Sequence, residues 1–283
     1  MNICYLDFWP GFDINCNWFN LALKECFNDI NIITNPSEAD VILASSFGYE
    51  RYKHKDSKAV KIFYTGENER PDFNFADYSL TFDFDDYNGR NFRLSHWMLY
   101  VNWWNEPNFP HARISLEQWS KKWKGEEIYN RSNFCSIVIG NPVKNRLDVV
   151  RKLNEFKEVH GYGKVFNNFY SGCKVKLLEN YRWNICFENS IYKGYVTEKI
   201  FEAKVAGCIP IYYGHEESVG IDFNSKCYIN FANLNSITEL YDLIYFYEND
   251  KNAFLELSGQ ELFSDRIPNL NELYEYLRKI IEE

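Results

Sequence analysis

Short apolar segments alternate with amphipathic segments along most of the chain, and this alternation constrains the fold more than any other feature. In the first half, strand-like runs such as "NICYLDFW" and "VILASSF" are separated by patterns such as "CNWFNLALKECF", whose apolar residues recur with helical spacing. The second half repeats this order with "FCSIVIG", "RLDVVRKLNEF", "WNICFEN" and "TEKIFEAKVAG". Strands that alternate with helices are typical of an α/β protein with a mainly parallel sheet.

The alternation restarts near residue 130, which predicts two domains. We expect residues 1–130 to form an N-terminal α/β domain and residues 131–268 to form a second one, both Rossmann-like and facing each other across a cleft. Leucine and isoleucine residues recur with helical spacing in 269–283. This spacing predicts a C-terminal helix that packs back on the first domain.

Charge and cysteine usage narrow the class of protein. The 40 acidic and 31 basic residues give a formal net charge of -9, which argues against a general nucleic-acid binder. The eight cysteines include no C-x-x-C pair, and several lie in apolar runs, so we expect reduced thiols in a cytoplasmic protein. No run reaches the roughly 18 apolar residues of a membrane helix. We therefore expect no transmembrane segment and at most peripheral membrane contact.

The segment Phe187–Lys199, "FENSIYKGYVTEK", concentrates polar side chains where a predicted strand ends and a predicted helix begins near Thr197. Ligands of α/β sheets bind beyond the carboxyl ends of strands, and N–H groups at a helix start attract anions. Lys199 in the first helical turn opposes the helix dipole unless an anion offsets it. Glu198 is that anion or an acceptor for sugar hydroxyls. Spacing alone leaves two interpretations open, an anion site and an ordinary mixed-charge helix start.

A second strand-to-helix junction, "VIGNPVKNRLDVVRKL", contains Arg146. The planar guanidinium of arginine matches phosphate oxygens with two parallel hydrogen bonds. Arg146 is therefore a candidate clamp for a diphosphate, and a solvated first-turn arginine is the alternative.

A longer run, "FENSIYKGYVTEKIFEAKVAGCIPIYYG", resembles the signature block of the α1,3/α1,4-fucosyltransferase family, inverting enzymes of the GT-B type that use GDP-fucose. "NPVKNRLDVVRKL" resembles the N-P-x-x-x-R segment of this family, and "HGYGKVF" resembles its Y-G turn. "FYTGENERPDFN" is similar to the segment that carries the catalytic glutamate in bacterial members. The resemblance covers most of the second domain and patches of the first. It implies a GT-B fold with the donor on the second domain and the acceptor on the first.

The family positions carry over to five residues of a GDP-fucose site, namely Arg146, Asn189, Tyr195, Glu198 and Lys199. The resemblance implies that Arg146 and Lys199 neutralise the diphosphate. It also implies that Tyr195 hydrogen-bonds a phosphate or packs on the donor, and that Asn189 and Glu198 contact fucose or ribose hydroxyls.

Inverting transfer needs one base to take the proton of the acceptor hydroxyl, whereas GDP leaves as a weakly basic phosphate without an acid. The resemblance assigns the base to Glu67. Glu69 is the alternative, because "ERP" resembles the E-S-P of animal members. Without the resemblance, both glutamates are consistent with a charged turn that Pro71 closes.

The implied reaction moves L-fucose to an N-acetyllactosamine-type or lactose-type oligosaccharide, with an α1,3 linkage expected first. Trp97, Tyr100, Trp103, Trp104 and the segment "DFWPGFD" are acceptor-side candidates, and core packing explains them about as well. Two other functions remain open. One is a related glycosyltransferase that uses another nucleotide sugar, and the other is an inactive carbohydrate-binding protein.

Asp83 and Asp85 in "TFDFDD" form a D-x-D pattern, which holds a divalent metal on the diphosphate in another class of glycosyltransferases. Three-residue patterns occur often by chance, and an acidic turn is the alternative. Because the resemblance points to a metal-free donor site elsewhere, we expect GDP-fucose to bind without a required cofactor.

Overall fold

The computed structural model describes residues 1–107, 109, 114–263 and 268–282, and these residues form two compact units. The first unit contains the described residues up to Ser115 together with the C-terminal segment. The second unit begins at Leu116.

The first unit is built on a six-stranded sheet in the order β2-β1-β3-β4-β5-β6, with every neighbouring pair parallel. Its elements are β1 (Asn2–Leu6), α1 (Trp18–Cys26), β2 (Asn31–Ile33), β3 (Val41–Ala44), β4 (Val60–Tyr64), β5 (Tyr78–Thr81), β6 (Asn91–Arg93), β7 (Val101–Asn102) and β8 (Ile114–Ser115).

The second unit is built on a five-stranded parallel sheet in the order β10-β9-β11-β12-β13. Its elements are α2 (Leu116–Ser120), α3 (Gly125–Tyr129), β9 (Asn133–Val138), α4 (Lys144–Leu153), β10 (Val159–Tyr162), α5 (Lys174–Leu178), β11 (Tyr181–Phe187), α6 (Glu198–Val205), β12 (Ile209–Tyr213), α7 (Glu216–Asp222), β13 (Ile229–Asn230), α8 (Ile237–Asn249) and α9 (Lys251–Ser258). The last helix, α10 (Asn271–Glu282), belongs to the first unit. Parallel sheets with intervening helices confirm the predicted α/β class.

The units meet in sequence at residue 115, whereas the sequence pattern suggests a boundary at residue 130. The intervening residues pack in the second unit, because Ile128 of α3 is fully buried in its core. The indole N–H of Trp123 also donates to the Val205 carbonyl at 2.8 Å. The second unit therefore begins at residue 116. The sequence does not reveal this start, because the helical pattern of residues 116–130 does not indicate which sheet these residues pack against.

The first sheet buries both of its faces, as expected for parallel strands. Ile3, Val41 and Ile62 pack on the same side as α1. Alternate residues such as Cys4 and Ile42 pack in a separate cluster on the opposite face. This alternation follows from the two-residue period of a strand.

Helix α10 lies against α1 and buries Leu273, Leu277 and Ile280 in the core of the first unit. These residues recur at the spacing of one helical face. The guanidinium of Arg278 adds a hydrogen bond to the Glu25 carbonyl at 2.9 Å. The C-terminal helix is therefore part of the N-terminal core.

Replacing Leu277 by alanine is expected to lower the free energy of unfolding by about 2–5 kcal/mol, because Leu277 is only 3% exposed and the truncation leaves a cavity. Urea unfolding followed by circular dichroism measures the loss. Glu275→Ala, at an exposed position of the same helix, is the control and should change stability by less than about 0.5 kcal/mol. Equal stability of the two variants would contradict the packing of α10.

Candidate functional site

The five residues assigned to the donor site lie at one edge of the second sheet, beyond the carboxyl ends of β9 and β11. Arg146 is in the first turn of α4, which follows β9, and Asn189 comes two residues after β11. Glu198 and Lys199 begin α6. Parallel strands end at the same edge of a sheet, so the fold brings these separate segments together.

Arg146 connects the end of β11 to Asn189. Its Nη2 donates to the Phe187 carbonyl at 2.5 Å and to Asn189 Oδ1 at 2.8 Å. Arg146 is 1% exposed, and its Nε has no hydrogen-bond partner among the described residues. Burial lowers the pKa of the guanidinium, and the nearby Glu188 carboxylate opposes that effect. Arg146 thus orients Asn189 and keeps a buried N–H unsatisfied.

Lys199 is held by oxygen atoms on three neighbouring side chains. Its Nζ lies 2.8 Å from Thr197 Oγ1, 3.1 Å from Glu188 Oε2 and 3.5 Å from Glu198 Oε1. Burial by itself lowers the pKa of the ammonium, but the carboxylates of Glu188 and then Glu198 raise it above its ordinary value. Lys199 is therefore a fixed positive charge.

Tyr195 lies near both of these cations. Its backbone N–H donates to the Tyr192 carbonyl at 3.0 Å and closes a turn that leads into α6. The side chain is 4% exposed, and its phenol is close enough to act electrostatically on both Arg146 and Lys199. All five assigned residues therefore belong to one cluster, in which Asn189 is exposed and Glu198 is half-buried.

Glu188 is a member of this cluster that sequence reasoning missed. Its Oε1 accepts the Thr197 backbone N–H at 2.8 Å, and its Oε2 accepts the Thr197 hydroxyl at 2.7 Å. At least one of the N–H groups that the sequence analysis expects to be open to an external anion is thus already paired with a carboxylate of the chain. The only sequence signal was an acidic residue directly after an apolar strand, and many exposed strand ends share that pattern.

In the first unit, Glu67 lines a cavity of about 300 Å³. The cavity wall is mostly aromatic, and Asn17, His96 and Glu67 add polar groups. Concave, largely apolar sites with a few polar groups are typical of small-molecule binding. The wall comprises Trp9, Phe12, Asn17, Trp18, Phe19, Phe47, Tyr64, Gly66, Glu67, His96, Leu99 and Tyr100.

Glu67 and Glu69 differ in their relation to this cavity. Both side chains are exposed, but of the two only Glu67 is among the described residues of the cavity wall. The Glu67 backbone N–H donates to Thr65 Oγ1 at 3.1 Å, and the Glu69 N–H donates to the Glu67 carbonyl at 2.7 Å. These hydrogen bonds within the loop hold Glu67 at the cavity wall, whereas Glu69 is not part of the wall as described.

The aromatic candidates for the acceptor side separate into two groups. Tyr100 lines the cavity, as do Trp9 and Phe12 of "DFWPGFD". Trp97 is 2% exposed and packs in the interior. Trp104 donates its indole N–H to the Tyr274 hydroxyl of α10 at 3.1 Å, so it joins the helix to the body of the unit.

The D-x-D residues take part in local hydrogen bonds. Asp83 Oδ1 accepts from Arg70 Nη1 at 2.8 Å, and its Oδ2 accepts from the Tyr87 hydroxyl at 3.0 Å. Asp85 Oδ1 accepts the Tyr87 backbone N–H at 2.8 Å. Such contacts are typical of an acidic turn.

The backbone of Gly66, next to Glu67, lies close to the His96 ring. A β-carbon at this position would lie 2.4 Å from His96 Nδ1 and Cε1. Gly66→Ala is therefore expected to displace His96 or the Glu67 loop and to cost about 1–3 kcal/mol of stability. Thermal unfolding measures the loss, and Gly220→Ala is the control, because its nearest neighbour, the Tyr228 hydroxyl, is 4.0 Å away. A Gly66→Ala variant as stable as the parent would show that the His96 side chain can move aside without a loss of stability.

Comparisons with known proteins agree with these features. Residues 3–100 match the alpha-(1,3)-fucosyltransferase FucT N-terminal domain, and residues 129–258 match the C-terminal domain of glycosyltransferase family 10 (fucosyltransferase). The alpha-(1,3)-fucosyltransferase FucT of Helicobacter pylori is 33% identical in an alignment that covers 81% of this chain and 52% of that relative. The 4-galactosyl-N-acetylglucosaminide 3-alpha-L-fucosyltransferase 9 of Bos taurus is 29% identical over 53% of this chain and 42% of its own length. The chain thus spans about half the length of these curated relatives.

A crystal structure of an alpha1,3-fucosyltransferase superposes with a TM-score of 0.79 at 27% identity and covers 100% of this chain and 90% of that chain. A crystal structure of an alpha1,3-fucosyltransferase with GDP-fucose gives a TM-score of 0.77 at 26% identity, again over 100% of this chain and 90% of that chain. These likenesses confirm the predicted GT-B-like class. The two family models match most of the chain, and the chain therefore belongs to glycosyltransferase family 10, the fucosyltransferase family.

Proposed function

We propose that this chain transfers L-fucose from GDP-fucose to a hydroxyl of an N-acetyllactosamine-type or lactose-type oligosaccharide, forming an α1,3 linkage with inversion. The observation that carries the proposal is the cluster of Arg146, Asn189, Tyr195 and Lys199 at the carboxyl edge of the second sheet. It combines two cations with polar side chains, which is the composition that a nucleotide sugar needs. The matching family model and the GDP-fucose complex of a similar protein support this assignment.

In this proposal the diphosphate is bound by the guanidinium of Arg146 and the ammonium of Lys199. A guanidinium can pair with two phosphate oxygens, and a fixed ammonium supplies a point charge. Tyr195 lies next to both cations and donates its hydroxyl to a phosphate oxygen or packs on the donor. Asn189 and Glu198 are on the more accessible side of the cluster, and we assign them to hydroxyls of fucose or ribose.

The chemical step requires one base and one stabilised leaving group. Glu67 removes the proton of the acceptor hydroxyl as its oxygen attacks the anomeric carbon and the bond to GDP breaks. The negative charge that develops on the diphosphate is stabilised by Arg146 and Lys199, so no acid has to protonate it. The acceptor oxygen attacks the anomeric carbon on the face opposite the bond to GDP. The configuration is therefore inverted, and the β-linked donor gives an α-linked product.

We assign the acceptor to the aromatic cavity that Glu67 lines. Aromatic faces stack on the apolar faces of sugars, while Glu67 and His96 offer groups that can hydrogen-bond to hydroxyls. The assignment places the base and the sugar that it deprotonates in one unit.

We propose that the reaction needs no divalent metal, since the Asp83 carboxylate is already engaged by Arg70 and Tyr87. Undiminished turnover in EDTA is the expected result, and loss of turnover that Mn²⁺ or Mg²⁺ restores would contradict it.

Among the described residues no helix has the length and hydropathy to cross a bilayer. We propose a cytoplasmic location because all eight cysteines are free thiols.

The decisive experiment incubates the chain with GDP-fucose and either N-acetyllactosamine or lactose. Mass spectrometry should detect acceptor plus one deoxyhexose, and NMR of the product should give an α-anomeric coupling. GDP-mannose and UDP-galactose serve as donor controls. Consumption of one of these instead of GDP-fucose indicates a different nucleotide sugar. Acceptor binding without any GDP release indicates an inactive carbohydrate-binding protein.

A further inference from the structure

The donor cluster contains one buried carboxylate to which the proposed function gives no task. Glu188 follows β11 directly, and its side chain has no exposure to solvent. A buried carboxylate is costly unless donors and cations surround it. The groups that surround the Glu188 carboxylate therefore indicate its role.

Among the described residues, four hydrogen bonds reach the Glu188 carboxylate, and three of them come from the start of α6. The carboxylate accepts the backbone N–H and the hydroxyl of Thr197, at 2.8 and 2.7 Å, and it accepts from Lys199 Nζ at 3.1 Å. The fourth donor is the Tyr212 hydroxyl, at 3.4 Å. Thr197 precedes α6, and its own side chain does not cap the helix. Glu188 thus provides the negative charge that a helix N-terminus favours.

The same carboxylate also fixes Lys199. The Lys199 ammonium contacts both Glu188 and Thr197 Oγ1, and that hydroxyl is itself bonded to Glu188. These contacts form a closed triangle of polar groups. Because Glu188 also acts electrostatically on Arg146, its charge is shared by both cations that we assign to the diphosphate.

We propose that Glu188 is a positioning residue for the donor, and this inference rests on the proposed function. Its carboxylate occupies the place at the α6 N-terminus that an external anion would otherwise take, and it holds the Lys199 ammonium in the orientation that meets the donor diphosphate. The Glu188 carboxylate already accepts hydrogen bonds from Thr197, Lys199 and Tyr212, and we assign it no contact with GDP-fucose. Donor affinity therefore depends on Glu188 through Lys199.

Glutamine at this position tests the idea because it keeps the shape and removes the charge. One amide oxygen can still accept the Thr197 N–H, but the NH₂ group then faces Lys199, which has no acceptor atom to offer it. We expect Glu188→Gln to raise the dissociation constant for GDP by about tenfold, within the range of coupling energies between contacting residues. The affinity for guanosine, which lacks the diphosphate, should stay the same. Isothermal titration calorimetry measures both.

A double-mutant cycle with Lys199→Ala separates positioning from general damage. If Glu188 acts through Lys199, adding Glu188→Gln to Lys199→Ala should weaken GDP binding by less than about twofold. Glu188→Asp, which keeps the charge, should restore part of the affinity lost in Glu188→Gln. Full additivity of the two substitutions, or unchanged GDP affinity in Glu188→Gln, overturns the inference.

Glu248→Gln is the matched control for the loss of a buried carboxylate. Glu248 has no side-chain exposure, contacts Lys157 and Arg182, and accepts the Trp183 indole N–H in the same unit. We expect this variant to lose thermal stability and to keep the parental affinity for GDP. An equal loss of GDP affinity in Glu248→Gln would show that the effect of Glu188 is not specific.

The inference and the proposed function fail in different ways. If Lys199→Ala leaves GDP binding unchanged, the diphosphate assignment itself is wrong. If Lys199→Ala weakens GDP binding and Glu188→Gln does not, only the positioning role of Glu188 is wrong. Should Glu188→Gln fold poorly, the Glu188→Asp variant still reports on the same contacts.

Discussion

Replacing Glu67 by glutamine is expected to slow fucose transfer by about 10²–10⁴-fold, the usual contribution of a general base. An amide cannot take the proton of the acceptor hydroxyl, yet it has nearly the same size as the carboxylate and should preserve the cavity. GDP affinity should stay at its parental value, because the five residues that we assign to the donor all lie in the other unit. Transfer rates measured at saturating donor, together with GDP titrations, check both statements.

Glu69→Gln is the matched control for this experiment, since it makes the same substitution two residues away at another exposed position of the loop. We expect Glu69→Gln to retain most of the transfer activity. The reverse pattern, with an active Glu67→Gln and an inactive Glu69→Gln, would assign the base to Glu69. Loss of activity in both variants together with weakened acceptor binding would indicate that the loop binds the acceptor and does not supply the base.

Lys199→Ala is expected to raise the dissociation constant for GDP by about 10–100-fold, the equivalent of one charge-assisted hydrogen bond to a phosphate. The substitution also leaves the Glu188 carboxylate buried without its ammonium partner. Removing one member of such a pair costs about 3–5 kcal/mol when both are buried, and somewhat less here because Lys199 is 16% exposed. Calorimetric titration with GDP and thermal unfolding measure the two effects separately.

The control for Lys199→Ala is Lys193→Ala, which removes an exposed lysine from the same segment. Its GDP affinity and stability should match those of the parent, because solvent and salt screen the charge of an exposed lysine. If Lys193→Ala weakens GDP binding as much as Lys199→Ala does, the affinity depends on the general positive charge of the segment. A specific contact between Lys199 and the diphosphate would then be contradicted.

Periodicity predicted the central strands and the long helices, because these elements bury whole faces. It missed β6, β10 and β13, and each of them lies at the edge of its sheet. In β6, the polar residues Asn91 and Arg93 surround Phe92, and β10 contains Gly161. Edge strands are held by one neighbour only, so their sequences need not carry a continuous apolar pattern.

The sequence could group the five residues assigned to the donor because they lie within two short junctions, and their contact with a donor stays a prediction. The sequence could not add Glu188 to this group, since a carboxylate looks the same in sequence whether it faces solvent or Thr197. Aromatic side chains raised the same problem on the acceptor side. Trp97 and Tyr100 are three residues apart, yet one packs in the interior and the other lines the cavity.

The position of α10 has a consequence for biosynthesis. Part of the apolar surface of α1 is covered by Leu273, Leu277 and Ile280, and the ribosome makes these residues only after the entire second unit. During translation the second unit can complete its core while α1 still exposes the apolar surface that α10 later covers. Such an exposed face favours aggregation and chaperone binding. We therefore expect nascent chains that stop before α10 to engage chaperones through the N-terminal half, even though that half was synthesised first.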